Sequence, residues 1–173
     1  MNQRTTLMNT RILTTVMAIV MVSAFSQAKA NAQAGESAGR SVEGVWMVTI
    51  TPLNCITGMP VPGATFEGLF TFHKGGTMSA WVQNSLIMVT RSPSQGLWQR
   101  DHGWSDYAFK FVHLRYDSSG FYSGRQESEG TLLLNASGNE FTSEGSTAFF
   151  DVDGNSQGGG CSNSVGTRID LNL

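Results

Sequence analysis

Gly44-Val45-Trp46-Met47-Val48-Thr49-Ile50-Thr51 is the stretch whose reading decides the fold. A glycine opens it and β-branched and aromatic residues fill it, which is the composition of a strand. With a two-residue repeat, Trp46, Val48 and Ile50 take one face, and Val45, Met47, Thr49 and Thr51 take the other. Cys55 follows shortly after, and the only other cysteine, Cys161, stands near the far end of the chain. A bond between the two sets the last strand beside the first. A sheet whose outer strands meet has curled on itself.

Residues 1–34 have the three-part layout of a secretory signal peptide. Arg4 and Arg11 make a positive start, Ile12 to Phe25 is mostly apolar, and Ser26 to Ala34 is a small-residue tail. Ala28-Lys29-Ala30 and Ala32-Gln33-Ala34 are the candidate cleavage sites. The apolar run falls short of the roughly 20 residues of a membrane span. The expectation is a secreted or periplasmic chain with no integral span after cleavage. Residues 35–43 are small and polar, expected as a flexible tail, and 44–173 are expected as one domain with a real core.

Arg4, Arg11 and Lys29 are three of the 11 basic residues, and none of the 13 acidic ones lies with them, so the rest carries 8 basic against 13 acidic groups, net −5 with histidine neutral. That balance excludes nucleic acid, which calls for clustered Lys and Arg, and disfavours an anionic membrane surface. All 20 glycines lie beyond the leader, and no long apolar stripe has a helical period. Two cysteines in an exported chain point to one disulfide. It closes a loop of about 106 residues, contributing on the order of 4–5 kcal/mol in the chain-entropy model.

Eight strands are read, at about 44–51, 64–72, 77–83, 96–101, 107–116, 121–134, 139–150 and 157–169, joined mainly by turns such as Lys74-Gly75-Gly76 and Asn135-Ala136-Ser137-Gly138. In an up-and-down meander of eight, the first and last strands run antiparallel. The end of the first then adjoins the start of the last, where Cys55 and Cys161 stand. Strand count and cysteine placement thus agree on an all-β, eight-stranded antiparallel barrel closed by one disulfide; a β-sandwich is the alternative. The apolar run Leu86-Ile87-Met88-Val89, inside the connection 84–95, is read as a flap over an opening rather than a short extra strand or helix.

Gly44-Val45-Trp46 at the head of the first strand, the single domain of fitting size, the meander and Arg168 near the end of the last strand together resemble the calycin group of small secreted barrels, the lipocalin-like proteins. Ser105-Asp106-Tyr107 stands nearest to that group's Thr-Asp-Tyr motif. The resemblance implies that Arg168 packs over Trp46 in a structural role, and that the interior holds a small hydrophobic ligand.

Other motifs have plainer explanations. Gly35-Glu36-Ser37-Ala38-Gly39 spells a nucleophile elbow, but no strand precedes it and the chain is too β-rich for that hydrolase fold. Asp151-x-Asp153-x-Asn155 opens like a calcium loop, yet Ser156 and Ser162 stand where glycine and glutamate are needed, which leaves a hairpin turn. His73, His102 and His113 have no ligand-like spacing, so no metal and no cofactor is expected. Arg125, Glu127 and Glu129 share a solvated outer face; Tyr122, Gln126, Ser128 and Leu132 then point inward, joined by Phe141, Thr147 and Phe149.

The aromatic set carries the functional reading. Phe70, Phe72, Trp98, Phe109 and Phe111 phase to the interior, with His113 and Arg115 as polar groups able to orient a ligand, Arg115 favouring an anion. Inward glycines at 68, 124, 130 and 145 leave room for a cavity. The first function is therefore non-catalytic binding of a small apolar or amphipathic molecule. A second is a barrel isomerase or cyclase of the allene oxide cyclase type, with Glu67 and Tyr122 as its groups. A third is an envelope interaction module acting through 84–95.

Overall fold

The barrel is a meander in which each strand lies antiparallel to the next, and its interior residues are set by the alternation of side chains along each strand. The computed structural model describes residues 41–82 and 90–170. The strands are β1 (Gly44–Leu53), β2 (Phe66–Phe72), β3 (Thr77–Val82), β4 (Thr90–Arg91), β5 (Ser94–Arg100), β6 (Asp106–Tyr116), β7 (Tyr122–Leu134), β8 (Glu140–Phe150) and β9 (Ser156–Arg168). β4 and β5 both pair with β6, Arg91 facing Arg115 and Gln95 facing Val112. They are two pieces of one strand, interrupted at Ser92-Pro93, where proline has no N–H for the ladder. Ser92 bridges the gap: its N–H donates to Leu114 O (3.0 Å) and its hydroxyl accepts from Leu114 N (3.0 Å).

Counted so, eight antiparallel strands close the barrel in the order β1-β2-β3-β5-β6-β7-β8-β9 and back to β1. The closing seam runs from Trp46 opposite Arg168 to Leu53 opposite Cys161. Just beyond it Cys55 and Cys161 form a disulfide, Cα atoms 5.3 Å apart. The bond ties the exit of the first strand to the start of the last, as the cysteine positions predict, and a sandwich of two open sheets is ruled out.

Trp46, Val48 and Ile50 are buried, while Val45 and Met47 on the other face are 41% exposed. The stretch that opened the sequence reading thus sets the phase of the barrel wall. One end of the interior is filled with rings. Trp46 packs on Phe141 (centroids 4.9 Å), Phe141 on Phe72 (6.3 Å), Phe72 on Trp98 (6.1 Å) and Trp98 on Tyr107 (5.7 Å). Arg168 lies over the Trp46 ring, its guanidinium 4.3 Å from the centroid. It also donates to three carbonyls, Gly138 O at 2.8 Å and Glu43 O and Ser41 O at 2.6 Å each. Gly44 is needed here: its φ is +133°, and a Cβ would stand 2.6 Å from Arg168 Nη1.

Three expectations change. Residues 41–43, read as the end of a loose tail, carry Val42, which is fully buried and whose carbonyl accepts from Trp46 Nε1 (2.8 Å). The connection 84–95 is strand from Thr90 onward, apart from Ser92-Pro93, and its apolar run 86–89 lies outside the described residues. Tyr122, phased inward from the sequence, is 45% exposed. A bulge explains it: Arg115 faces Gly124 while Tyr116 faces Tyr122, so Ser123 is an extra residue that reverses the alternation.

Candidate functional site

Beyond the ring-filled end, the interior opens into a cavity of about 200 Å³ that reaches solvent. The strands give it two unlike walls. Ile50 from β1, Phe66 and Phe70 from β2, Val82 from β3, and Phe109 and Phe111 from β6 make an apolar wall. Gln126 and Ser128 from β7, Ser143 and Thr147 from β8, and Ser162 and Ser164 from β9 make a wall of hydroxyls and one amide. The small side chains of the second wall leave space that the rings of the first do not fill. Phe70 links the cavity to the filled end, lying 5.5 Å from Phe111 and 6.4 Å from Phe72 between centroids.

His113, Gln126 and Phe149 form a row across β6, β7 and β8, each opposite the next. His113 is 1% exposed and packs edge-on against Phe111 at 5.5 Å. Its Nδ1 lies 3.0 Å from Ser92 O. A carbonyl only accepts, so Nδ1 carries the proton and Nε2 presents a lone pair. Burial holds the imidazole below its ordinary pKa, Arg91 adds to this, and the bond to Ser92 opposes it. His113 is accordingly a neutral acceptor at Nε2, and that atom has no partner among the described residues.

Gln126 has the same character. Its Nε2 donates to Ser128 Oγ (3.2 Å), and Ser128 is 2.8 Å from Thr147 Oγ1, while Gln126 Oε1 has no partner among the described residues. Arg91 supplies the lining's cation, held below its usual range chiefly by burial and then by Arg115 opposite it. The site is therefore an aromatic cup with two buried acceptors on residues directly opposite each other and a guanidinium on its lining.

Of the residues singled out from sequence, Phe70, Phe109, Phe111 and His113 come together on this cavity. Phe72 and Trp98 do not: they belong to the ring-filled end, where Trp98 Nε1 donates to His73 O (2.9 Å). Arg115 does not line the cavity either, and its guanidinium stacks over Phe149 at 5.1 Å. Glu67 is exposed like Tyr122, so neither enzymatic candidate faces the interior. Of the glycines expected to open the interior, Gly145 lines the cavity, whereas a Cβ at Gly124 or Gly130 would run into the backbone of β8 or the residue after it.

The sequence placed Gln126, Ser128 and Thr147 inward but passed over Ser143, Ser162, Ser164 and Arg91. The three serines were legible, because they keep the inward phase of their strands. Arg91 was not, because its strand piece is two residues long and falls inside the connection read as a flap.

The motif Asp151-x-Asp153-x-Asn155 is a hairpin turn, the Asp151 carboxylate accepting from Asp153 N (3.0 Å) and Asn155 N (2.8 Å). Among the described residues no group of three or more His, Cys, Asp or Glu side chains is placed to hold a metal ion, and no helix is long and apolar enough to cross a membrane. No protein-family profile matches the chain, and no curated protein and no solved structure matches it.

Proposed function

We propose that this chain is an exported, lipocalin-like barrel that binds one small apolar or amphipathic molecule without catalysis. The carrying observation is the cavity of about 200 Å³ with Phe66, Phe70, Phe109 and Phe111 on one wall. An apolar cavity of about 150 Å³ accommodates benzene, so this one suits a ligand of on the order of ten heavy atoms. An interior left open on this scale forgoes the packing contacts that a filled one would gain. That cost argues for a use. The signal-peptide layout of residues 1–34 and the Cys55–Cys161 bond support export to an oxidising compartment. Arg168 over Trp46, closing the opposite end, supports the lipocalin-like reading.

The test is titration of the purified, disulfide-bonded protein with toluene and indole, followed by amide NMR shifts. Saturable shifts centred on the cavity-lining residues of β1, β2 and β6–β9, and sparing the ring-filled end, are expected, and Phe111→Ala should change the affinity. Absence of saturable shifts with both compounds overturns the proposal.

A further inference from the structure

The two acceptors on the cavity wall narrow the chemistry of what it binds. His113 is 1% and Gln126 8% exposed, and His113 Nε2 and Gln126 Oε1 have no partner among the described residues. The residues are direct opposites on β6 and β7, and both line the cavity. A buried acceptor without a donor is costly, and folded proteins pair such groups almost without exception. The nearby hydroxyls do not serve them: Ser128 takes the Gln126 N–H and shares a hydrogen bond with Thr147, and neither bonds to Gln126 Oε1 or His113 Nε2. The proton on His113 Nδ1 is spent on Ser92 O. The missing partner is therefore a donor, and the two acceptors, on residues directly opposite each other, ask for two protons or for one shared between them in a three-centre bond.

We infer that the occupant is a small neutral molecule of the phenol or aryl-alcohol type, its single O–H shared between His113 Nε2 and Gln126 Oε1 as a three-centre hydrogen bond and its ring lying against Phe109 and Phe111. The inference rests on the binding function proposed above and names the ligand class for the same cavity. A carboxylate is the competing class. It would suit Arg91, but it has no proton to give and would set its own lone pairs against two that are already buried. The acceptors are more deeply buried than Arg91, which is only half-buried, so their demand outweighs that of the guanidinium.

Three probes of one shape separate the possibilities: toluene, 4-methylphenol and 4-methylbenzoate, each titrated into the purified, disulfide-bonded protein by calorimetry or NMR. The expected order has 4-methylphenol about tenfold tighter than toluene, with 4-methylbenzoate no tighter than toluene. Gln126→Leu and His113→Phe should each erase most of the phenol advantage, Gln126→Leu with toluene affinity kept within about threefold. Toluene binding as tightly as 4-methylphenol overturns the donor assignment and leaves the cavity's binding role standing. The benzoate binding most tightly overturns it in favour of an anion held by Arg91. No binding by any of the three overturns the binding role itself. Should a variant lose its folded circular dichroism spectrum, the ranking of probes on the unmodified protein still decides.

Discussion

The two ends of the barrel interior are made by the same strands and treat their polar groups in opposite ways. At the filled end every ring tip that could be stranded has a carbonyl: Trp46 Nε1 donates to Val42 O, Trp98 Nε1 to His73 O and the Tyr107 hydroxyl to Trp104 O. Arg168 spends its guanidinium on three more. At the hollow end rings face hydroxyls across open space, and two buried acceptors have no partner among the described residues. One end is thus built to hold the barrel shut, and the other is left under-packed and under-bonded. Stability and the proposed binding role are separated along the barrel axis, so each can be perturbed with limited effect on the other.

The largest test of that contrast is truncation at each end. Trp46→Ala should cost about 3–5 kcal/mol in urea unfolding, as for large core rings generally. Phe109→Ala, at the cavity and only partly buried, should cost about half as much, since fewer neighbours lose contact. Equal losses would break the comparison. Next is the disulfide: Cys55→Ser with Cys161→Ser should lower stability by about 2–4 kcal/mol, read as a fall in the urea midpoint. A midpoint unmoved by reduction would show that the β1–β9 seam holds without it.

A smaller effect is expected for Arg168→Met, which keeps an apolar stem over Trp46 but leaves three carbonyls short of a donor. About 2 kcal/mol is expected, with toluene affinity unchanged because the residue lies at the far end from the cavity. Smaller again is the pH response of His113. Its folded pKa lies below its ordinary value near 6.5, so the unfolded chain takes up a proton that the folded one resists. Its contribution is full above about pH 6.5 and falls as the pH drops below that. Replacing it, His113→Asn, should flatten the stability profile there by up to one proton; an unchanged slope would mean the imidazole is not buried in solution. Smallest is Lys110→Met on the outer wall, where Lys110 pairs with Glu127 (3.1 Å) and Glu129 (3.5 Å) in solvent. Its melting temperature should stay within error.

How far the sequence reached depended on the range of the interaction involved. Alternation in 44–51 gives the buried face of β1 correctly, because side-chain direction in a strand is a property of the backbone itself. The Asp151 turn and the outer face of Arg125, Glu127 and Glu129 were readable for the same reason. Phasing failed at Tyr122, where one extra residue reverses the alternation and only the partner strand reveals it. It also failed to separate Phe70, Phe109 and Phe111 from Phe72 and Trp98. All five point inward, and their height along the axis depends on strand stagger, which no single strand encodes.

The amino-acid order alone determined that this chain makes strands, which of their faces is apolar, and that its first and last strands meet through Cys55 and Cys161. Those features follow from local alternation and from two cysteines with no other partner. Tertiary structure alone decided which rings close one end and which border a cavity, that Arg91 rather than Arg115 lines it, and that two acceptors on neighbouring strands lack a donor. Such features depend on register between strands and on volume left over after packing, and both exist only once the sheet has closed.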